Sequence, residues 1–407
     1  MMAAALGVLV SCGSVKSGEE VVAASRDSKV VVAYVTSWSE VMPDPQYMTH
    51  INYAFGHVNE SFNGVKIDNE ERLRQIVDLR KQKPELKVLL SIGGWGSGRF
   101  SEMAANDEYR RAFAADCDRV VKEFALDGID IDWEYPTSSM ANISSSPDDT
   151  ENFTLLMQDI RAAIGNEKEL TLATVASARY IDFKAILPSV DFVNIMAYDM
   201  ASAPKHHSAL YPSGHSGDIT SDGAVTAHLK AGVPPSKLVM GMPFYGRGGD
   251  GYPSFQDYNK VGNTDTQYTE KWDEVAQVPY LADKNDTLVF GFENPRSLAI
   301  KCQYILDKDL LGGMYWDYSG DNEQGDLRRT VAENLLGKPH KAKVLVLTER
   351  GGQHGGFTDA GLRWLAAEGV KGNFSITEIN NARNITEAYL SQFSLVIQLD
   401  FPPYTWP

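Results

Sequence analysis

Cysteine is scarce: the 407 residues hold three, Cys12, Cys117 and Cys302. Cys117 falls with Tyr109, Phe113, Val120 and Phe124 at helical spacing, and Cys302 with Leu298 and Ile305. Both read as core residues without metal-site spacing, on helices too distant in chain order to expect a disulfide. Positive charge is in deficit, with 38 Lys and Arg against 54 Asp and Glu and a formal net charge of −16. That argues against nucleic acid and anionic membrane surfaces as partners and is compatible with a neutral one. The apolar run at residues 3–11 is too short to span a bilayer. No glycine-rich phosphate loop follows the first apolar strand, which disfavours a doubly wound nucleotide-binding sheet. His206 and His207 have no acid or cysteine at ligand spacing, so a polar loop is expected there rather than a metal site.

What the chain does have is one dense acidic stretch, Leu126–Pro136, reading LDGIDIDWEYP. Asp130, Asp132 and Glu134 alternate with Ile129, Ile131 and Trp133. Period-two alternation predicts a strand with three acids on one face and an apolar face wanting burial. A solvated strand face or a calcium site is the bland reading. Close carboxylates in an interior are costly unless protonated, paired or hydrogen-bonded. Residues two apart on a strand lie about 7 Å apart, where unit charges repel by roughly 2 kcal/mol at an effective dielectric near 20. The acids should therefore titrate as a coupled set, with one or more protonated near neutral pH, as a general acid requires.

The rest of the chain suits one large domain plus a smaller piece. Eight apolar strand candidates follow from Lys29: Val30–Thr36, His50–Phe55, Leu86–Ile92, Gly128–Trp133, Leu170–Ala176, Val190–Ala197, Leu238–Pro243 and Gly313–Trp316. Helical patterns lie between most of them, for example at Asp107–Ala125 and at Pro295–Leu306 behind an Asn294 cap. Eight such units over residues 29–338 predict an α/β fold, a (β/α)8 TIM barrel, with an open doubly wound sheet as the alternative. Barrel chemistry sits at the carboxyl ends of strands. Polar and aromatic residues collect there: Trp38 after the first strand, which contains Tyr34; Trp95 after the third; Glu134 and Tyr135; Ser177 and Arg179; Met196, Tyr198 and Asp199; Tyr245 and Arg247; Trp316. Aromatic walls around acids are how proteins hold sugar rings. The long segment Gly248–Glu293 predicts a short α+β insertion after the seventh strand, with Trp272, Tyr280 and Phe290 as its core or as sugar contacts.

The acidic stretch closely resembles the D-G-x-D-x-D-x-E signature of family 18 glycoside hydrolases, the chitinase family, through Asp127, Asp130, Asp132 and Glu134. Ser91–Gly94 resembles the family's S-x-G-G, Met196–Asp199 its M-x-Y-D, and Pro243–Arg247 its seventh-strand motif. The resemblance covers roughly residues 29–338 and implies retaining hydrolysis of β-1,4-linked N-acetylglucosamine without metal or organic cofactor. By that resemblance Glu134 protonates the glycosidic oxygen, and the substrate's own 2-acetamido carbonyl is the nucleophile. Asp132 orients the acetamido N–H, Asp130 shares a proton with Asp132, and Tyr198 binds the acetamido oxygen. Trp316 floors the sugar, while Tyr245, Asp199, Arg247, Trp95, Tyr34, Met196 and Tyr135 bind substrate. Asp127 and Ser91 would support the acids from behind. The substrate is chitin or its oligomers, or else the chitobiose core of N-glycans. A non-catalytic sugar-binding relative is a third reading.

Both ends of the chain carry separate expectations. Residues 1–28 resemble a bacterial lipoprotein signal and tether, although no Lys or Arg precedes the apolar run. The expected location is extracytoplasmic, as a monomer that is either secreted or anchored through a lipid on Cys12, its one membrane contact. After Pro339 the pattern restarts with strand candidates Ala342–Thr348, Phe374–Ile379 and Leu395–Leu399, helical patterns at Asp359–Glu368 and Glu387–Gln392, and a glycine-and-histidine loop at Gly351–Gly356. Residues 339–407 resemble the start of a flavodoxin-like, amidotransferase-like domain related to trehalose-utilisation proteins. Such a sheet usually has about five or six strands, so the segment is expected to be incomplete.

Overall fold

A computed structural model describes residues 29–249, 252–261 and 267–337, and within the C-terminal stretch 342–348, 358, 360–365, 368, 374–379, 390 and 393–399. The expected lipoprotein-like segment with Cys12 and the Gly351–Gly356 loop lie outside the described residues.

Eight parallel strands close into a ring: β1 (Val30–Thr36), β2 (His50–Val58), β3 (Lys87–Gly93), β4 (Gly128–Asp132), β5 (Glu169–Val175), β6 (Phe192–Met196), β7 (Leu238–Pro243) and β8 (Gly312–Trp316). The ring closes because β1 pairs with both β2 and β8. The (β/α)8 barrel is thus present, and β1 and β7 keep the bounds expected of them. Helices such as Asp107–Glu123, Asp149–Ile164 and Pro295–Asp307 cover the outside. Asn294 caps the last of these in a reciprocal box with Ser297, which satisfies otherwise orphaned N–H groups.

The alternation on β4 works as the sequence predicts. Ile129, Ile131 and Trp133 point outward and are buried, Trp133 stacking on Phe100 at 5.3 Å and meeting Phe153 edge-on at 5.9 Å. Burying each of these side chains is worth roughly 2 kcal/mol, enough to fix which face turns inward. Cys117 and Cys302 are free thiols in the core, but Tyr109 is 36% exposed and stacks on Phe62 instead of joining Cys117.

The insertion differs from the α+β expectation. It is a five-stranded antiparallel sheet in the order Gln256–Asp257, Tyr245–Gly248, Leu288–Gly291, Val278–Ala282 and Thr269–Asp273, with no α-helix among its described residues. Neighbouring short strands joined by turns satisfy their ladder without a helix, and buried Leu281, Phe290 and Phe292 are its core. Trp272 lies instead under the Arg296 guanidinium at 3.8 Å, and Tyr280 packs on His206. The three C-terminal strands keep their expected bounds and form a small parallel sheet in the order 374–379, 342–348, 395–399.

Candidate active site

Register builds the floor of the site. Parallel pairing sets Ser91 of β3 and Thr171 of β5 opposite Asp130 of β4, so all three side chains share the inward face. Asp130 is fully buried and accepts four hydrogen bonds, from Tyr34 Oη (2.9 Å), Ser91 Oγ (2.8 Å), Thr171 Oγ1 (2.6 Å) and Asn194 Nδ2 (3.4 Å). Burial still pushes its carboxyl upward, and those neutral donors only soften the shift. This burial overturns the solvated-face reading of the acidic stretch. Asp127, expected behind the acids, stands instead before the amino end of β4, where it accepts the Val88 N–H at 2.8 Å and ties β3 to β4.

Asp132 comes next along the strand, 4% exposed, and its Oδ1 is buried without a partner among the described residues. Burial, then the charges of Glu134 and Asp130, push its carboxyl well above the usual range. Glu134 stands at the mouth and is pushed up to about 7 by partial burial, with the charge of Asp199 adding to the rise and a hydrogen bond from Tyr135 opposing it. The expectation of coupled acids with a proton near neutral pH is therefore met in direction.

The β3 end shows why the chain needs glycine there. Gly93 has φ +133°, and a Cβ would lie 2.0 Å from the Asp132 carbonyl oxygen; Gly94 has φ +92°, and a Cβ would strike the Phe55 ring at 2.7 Å. The backbone of β3 thus passes hard against β4 and the cleft wall.

A cleft of about 670 Å³ opens above the acids. It is lined by Asp132, Glu134, Tyr135, Tyr198, Asp199, Tyr245, Arg247, Trp316, Trp95, Tyr34 and Met196. These are the sequence-predicted site residues apart from Asp130, which lies beneath. Trp316 is packed into place by Phe55 (5.5 Å), Tyr34 (5.7 Å) and Trp38 (6.4 Å). Across the cleft Arg247 holds Asp199 with two hydrogen bonds, Nε to Oδ1 at 2.7 Å and Nη2 to Oδ2 at 2.6 Å. Partial burial works against that carboxylate, but Arg247 and His207 outweigh it and hold it below the usual range. A larger cleft of about 1000 Å³ has none of these residues in its lining, and its polar groups serve one another: Asp321 pairs with Arg328, and Asn294 with Glu270.

The sequence of glycosyl hydrolases family 18 matches residues 30–321. The chain belongs to family 18. Chitinase A1 of Niallia circulans is 30% identical over 74% of this chain, which spans 58% of that protein's length. Chitotriosidase-1 of Mus musculus is 31% identical over 72% of this chain and 74% of its own. Among solved structures, a family 18 N-acetylglucosaminidase from Paenibacillus barengoltzii superposes with a TM-score of 0.70 at 32% identity, covering 75% of this chain and 99% of that one. The protein is a chitinase-like family 18 glycosidase.

Several residues of this family 18 cleft escaped the sequence reading. Phe55, Met140, Tyr180 and Phe255 all line it. Tyr180 stacks on Tyr135 at 5.5 Å, and Phe255 on Tyr245 at 4.7 Å. Phe255 is what the insertion brings to the cleft, in place of Trp272, Tyr280 or Phe290. Phe55 could have been found, since it ends a predicted barrel strand; the others sit on loops without periodicity. His206 and His207 lie on a loop with polar partners, as expected, but both are buried, His206 3.2 Å from Asp273 and His207 3.5 Å from Asp199. Burial pushes His206 down to about 4. No group of three His, Cys, Asp or Glu side chains able to hold a metal stands among the described residues.

Proposed function

We propose that this chain cleaves β-1,4-linked N-acetylglucosamine polymers, chitin or its oligosaccharides, with retention and substrate assistance. Family 18 enzymes depart from the two-carboxylate scheme because the substrate supplies the nucleophile. Glu134 gives its proton to the leaving glycosidic oxygen as that bond breaks. The 2-acetamido carbonyl oxygen forms the new bond to the anomeric carbon, and water later opens the oxazolinium-like intermediate with Glu134 as base. The observation that carries this reading is the unpartnered buried Oδ1 of Asp132 beside a glutamate near 7. An acetamido N–H satisfies that orphaned acceptor, and the carboxylate offsets the positive charge that develops. Tyr198 supplies a phenol to the acetamido oxygen, Trp316 the apolar floor, and Asp199 with Arg247 the sugar hydroxyl partners.

The same acids fit an endo-β-N-acetylglucosaminidase acting on the N-glycan core, and the similarity to an N-acetylglucosaminidase keeps release of single sugars open. The Glu134 carboxyl near 7 counts against a non-catalytic sugar-binding relative. Mass spectrometry of products from chitin oligosaccharides and from a high-mannose glycoprotein, each beside Glu134→Gln, tests this. Shortened oligomers with wild type alone support a chitinase, and their lengths report the cleavage mode. Glycan release leaving one N-acetylglucosamine on protein moves the reading to the endoglycosidase. No product in either tube overturns the enzyme reading.

We further infer a catalytic unit at residues 29–338 and a flavodoxin-like unit at 339–407, a reading supported by the strand order of the small parallel sheet. We also propose an extracytoplasmic location with a lipid on Cys12, which radiolabelled palmitate incorporation compared with Cys12→Ala tests.

A further inference from the structure

Two tryptophans of the cleft are held differently, the half-buried Trp316 and the exposed Trp95. Trp316 is fixed by three neighbouring rings. Trp95 is 62% exposed, and among the described residues its indole stacks on no other ring. Its position therefore depends on its loop, residues 94–98. That loop is permissive, since Gly94 and Gly96 both have positive φ (+92° and +81°). The backbone holds it by Gly94 N–H to the Asp132 carbonyl at 2.8 Å and by Ser97 N–H to the Gly94 carbonyl at 3.0 Å. Among the described residues one side-chain hydrogen bond reaches it: Ser97 Oγ to His57 Nδ1, 2.8 Å.

His57 is itself clamped. Its Nε2 lies 3.0 Å from Asp68 Oδ2. Its backbone is in β2, paired with the antiparallel strand Val65–Ile67, with His57 opposite Lys66. Asp68 follows that strand and its N–H bonds the Phe55 carbonyl at 3.0 Å. The backbone of His57 and its Nε2 are thus tied to the frame that also carries Phe55 and, through it, Trp316, while Nδ1 reaches the loop. A carboxylate only accepts, so Nε2 carries a hydrogen. With a neutral ring the Ser97 hydroxyl donates to Nδ1; with a charged ring Nδ1–H donates to Ser97 Oγ. The bridge survives either state, because a hydroxyl serves both ways.

We propose that His57 is the positioning residue of Trp95, and that the Asp68–His57–Ser97 chain sets how strongly the cleft grips the part of a sugar chain lying beyond the Trp316 floor. The proposal rests on the reading of the cleft as a site for N-acetylglucosamine oligomers. A loop free to move must be ordered again whenever a sugar stacks on Trp95, so losing the clamp weakens long ligands and spares short ones.

The test compares His57→Ala, Ser97→Ala and His57→Asn on N-acetylglucosamine oligomers of increasing length and on a short chromogenic N-acetylglucosaminide. His57→Ala and Ser97→Ala should raise KM on the long oligomers about three- to tenfold, with kcat and short-substrate turnover unchanged. His57→Asn should recover most of the loss, because its amide oxygen stands where Nδ1 accepts the serine hydroxyl. Adding Trp95→Ala to His57→Ala should cost no more than Trp95→Ala alone. Equal losses on short and long substrates, or fully additive losses with Trp95→Ala, overturn the proposal. Tryptophan-fluorescence titration with the long oligomer in a Glu134→Gln background reads the same coupling without turnover. Absence of any product from wild type sinks the function instead, which separates the two failures.

Discussion

Asp130 on the barrel floor and Asp199 on the cleft wall are two acids of one site, and their environments drive them in opposite directions. Asp130 takes four hydrogen bonds and is still pushed up; Asp199, bonded by Arg247 and His207, is held down. The difference lies in the donors. Hydroxyls and an amide on Asp130 soften burial without supplying charge, while the bidentate guanidinium of Arg247 supplies a full opposite charge to Asp199. The floor can therefore keep a proton near Asp132, and the wall keeps a permanent negative charge that raises Glu134.

The sharpest way to break this comparison is to remove the Glu134 carboxyl. Glu134→Gln should lower kcat on chitin oligosaccharides at least about a thousandfold with oligomer binding retained. More than about a tenth of wild-type activity in steady-state assays would falsify Glu134 as the acid. The same variant has a stability signature. A folded value near 7 against an ordinary 4.5 means the native state holds a proton that the unfolded chain has released. That stabilisation is full below 4.5 and is lost as pH rises through about 7. Glu134→Gln, which does not titrate, should gain on wild type by roughly 1–3 kcal/mol between pH 4 and pH 8 in denaturant titrations. An unchanged difference across that range would place the proton elsewhere.

On the floor, Thr171→Val removes a neutral donor from a buried acid. It should cost about 1–2 kcal/mol of stability by thermal unfolding and raise Asp130 further, with little change in KM. On the wall, Asp199→Asn removes the charge that raises Glu134. The alkaline limb of the kcat/KM profile, expected near pH 7 for wild type from the Glu134 value, should move down by roughly half to one unit. A limb that stays in place means burial alone sets Glu134, and the comparison between floor and wall loses its catalytic meaning.

Much of this was legible in the chain. The alternation of Ile129, Ile131 and Trp133 with three acids, repeated strand–helix units and aromatic strand ends led to a barrel and to Glu134, Asp132, Trp316 and Tyr245, because period and position along a strand are local properties. Local signals failed where distant segments meet. Phe255 reaches the cleft from an insertion whose helix did not exist, and Tyr180 sits on a loop without periodicity. The burial of His206 and His207 shows only once Asp273 and Asp199 are brought against them from 67 and 8 residues away.

The sequence by itself determined which face of β4 is acidic, which is buried, and which residues stand at the strand ends, since side-chain direction follows from a two-residue repeat. Only the tertiary structure decided which acid keeps its proton. That depends on register, which sets Ser91 and Thr171 beside Asp130, and on loop closure, which sets Arg247 against Asp199 across 48 residues. Charge and burial act through space, and the chain order carries no record of those distances.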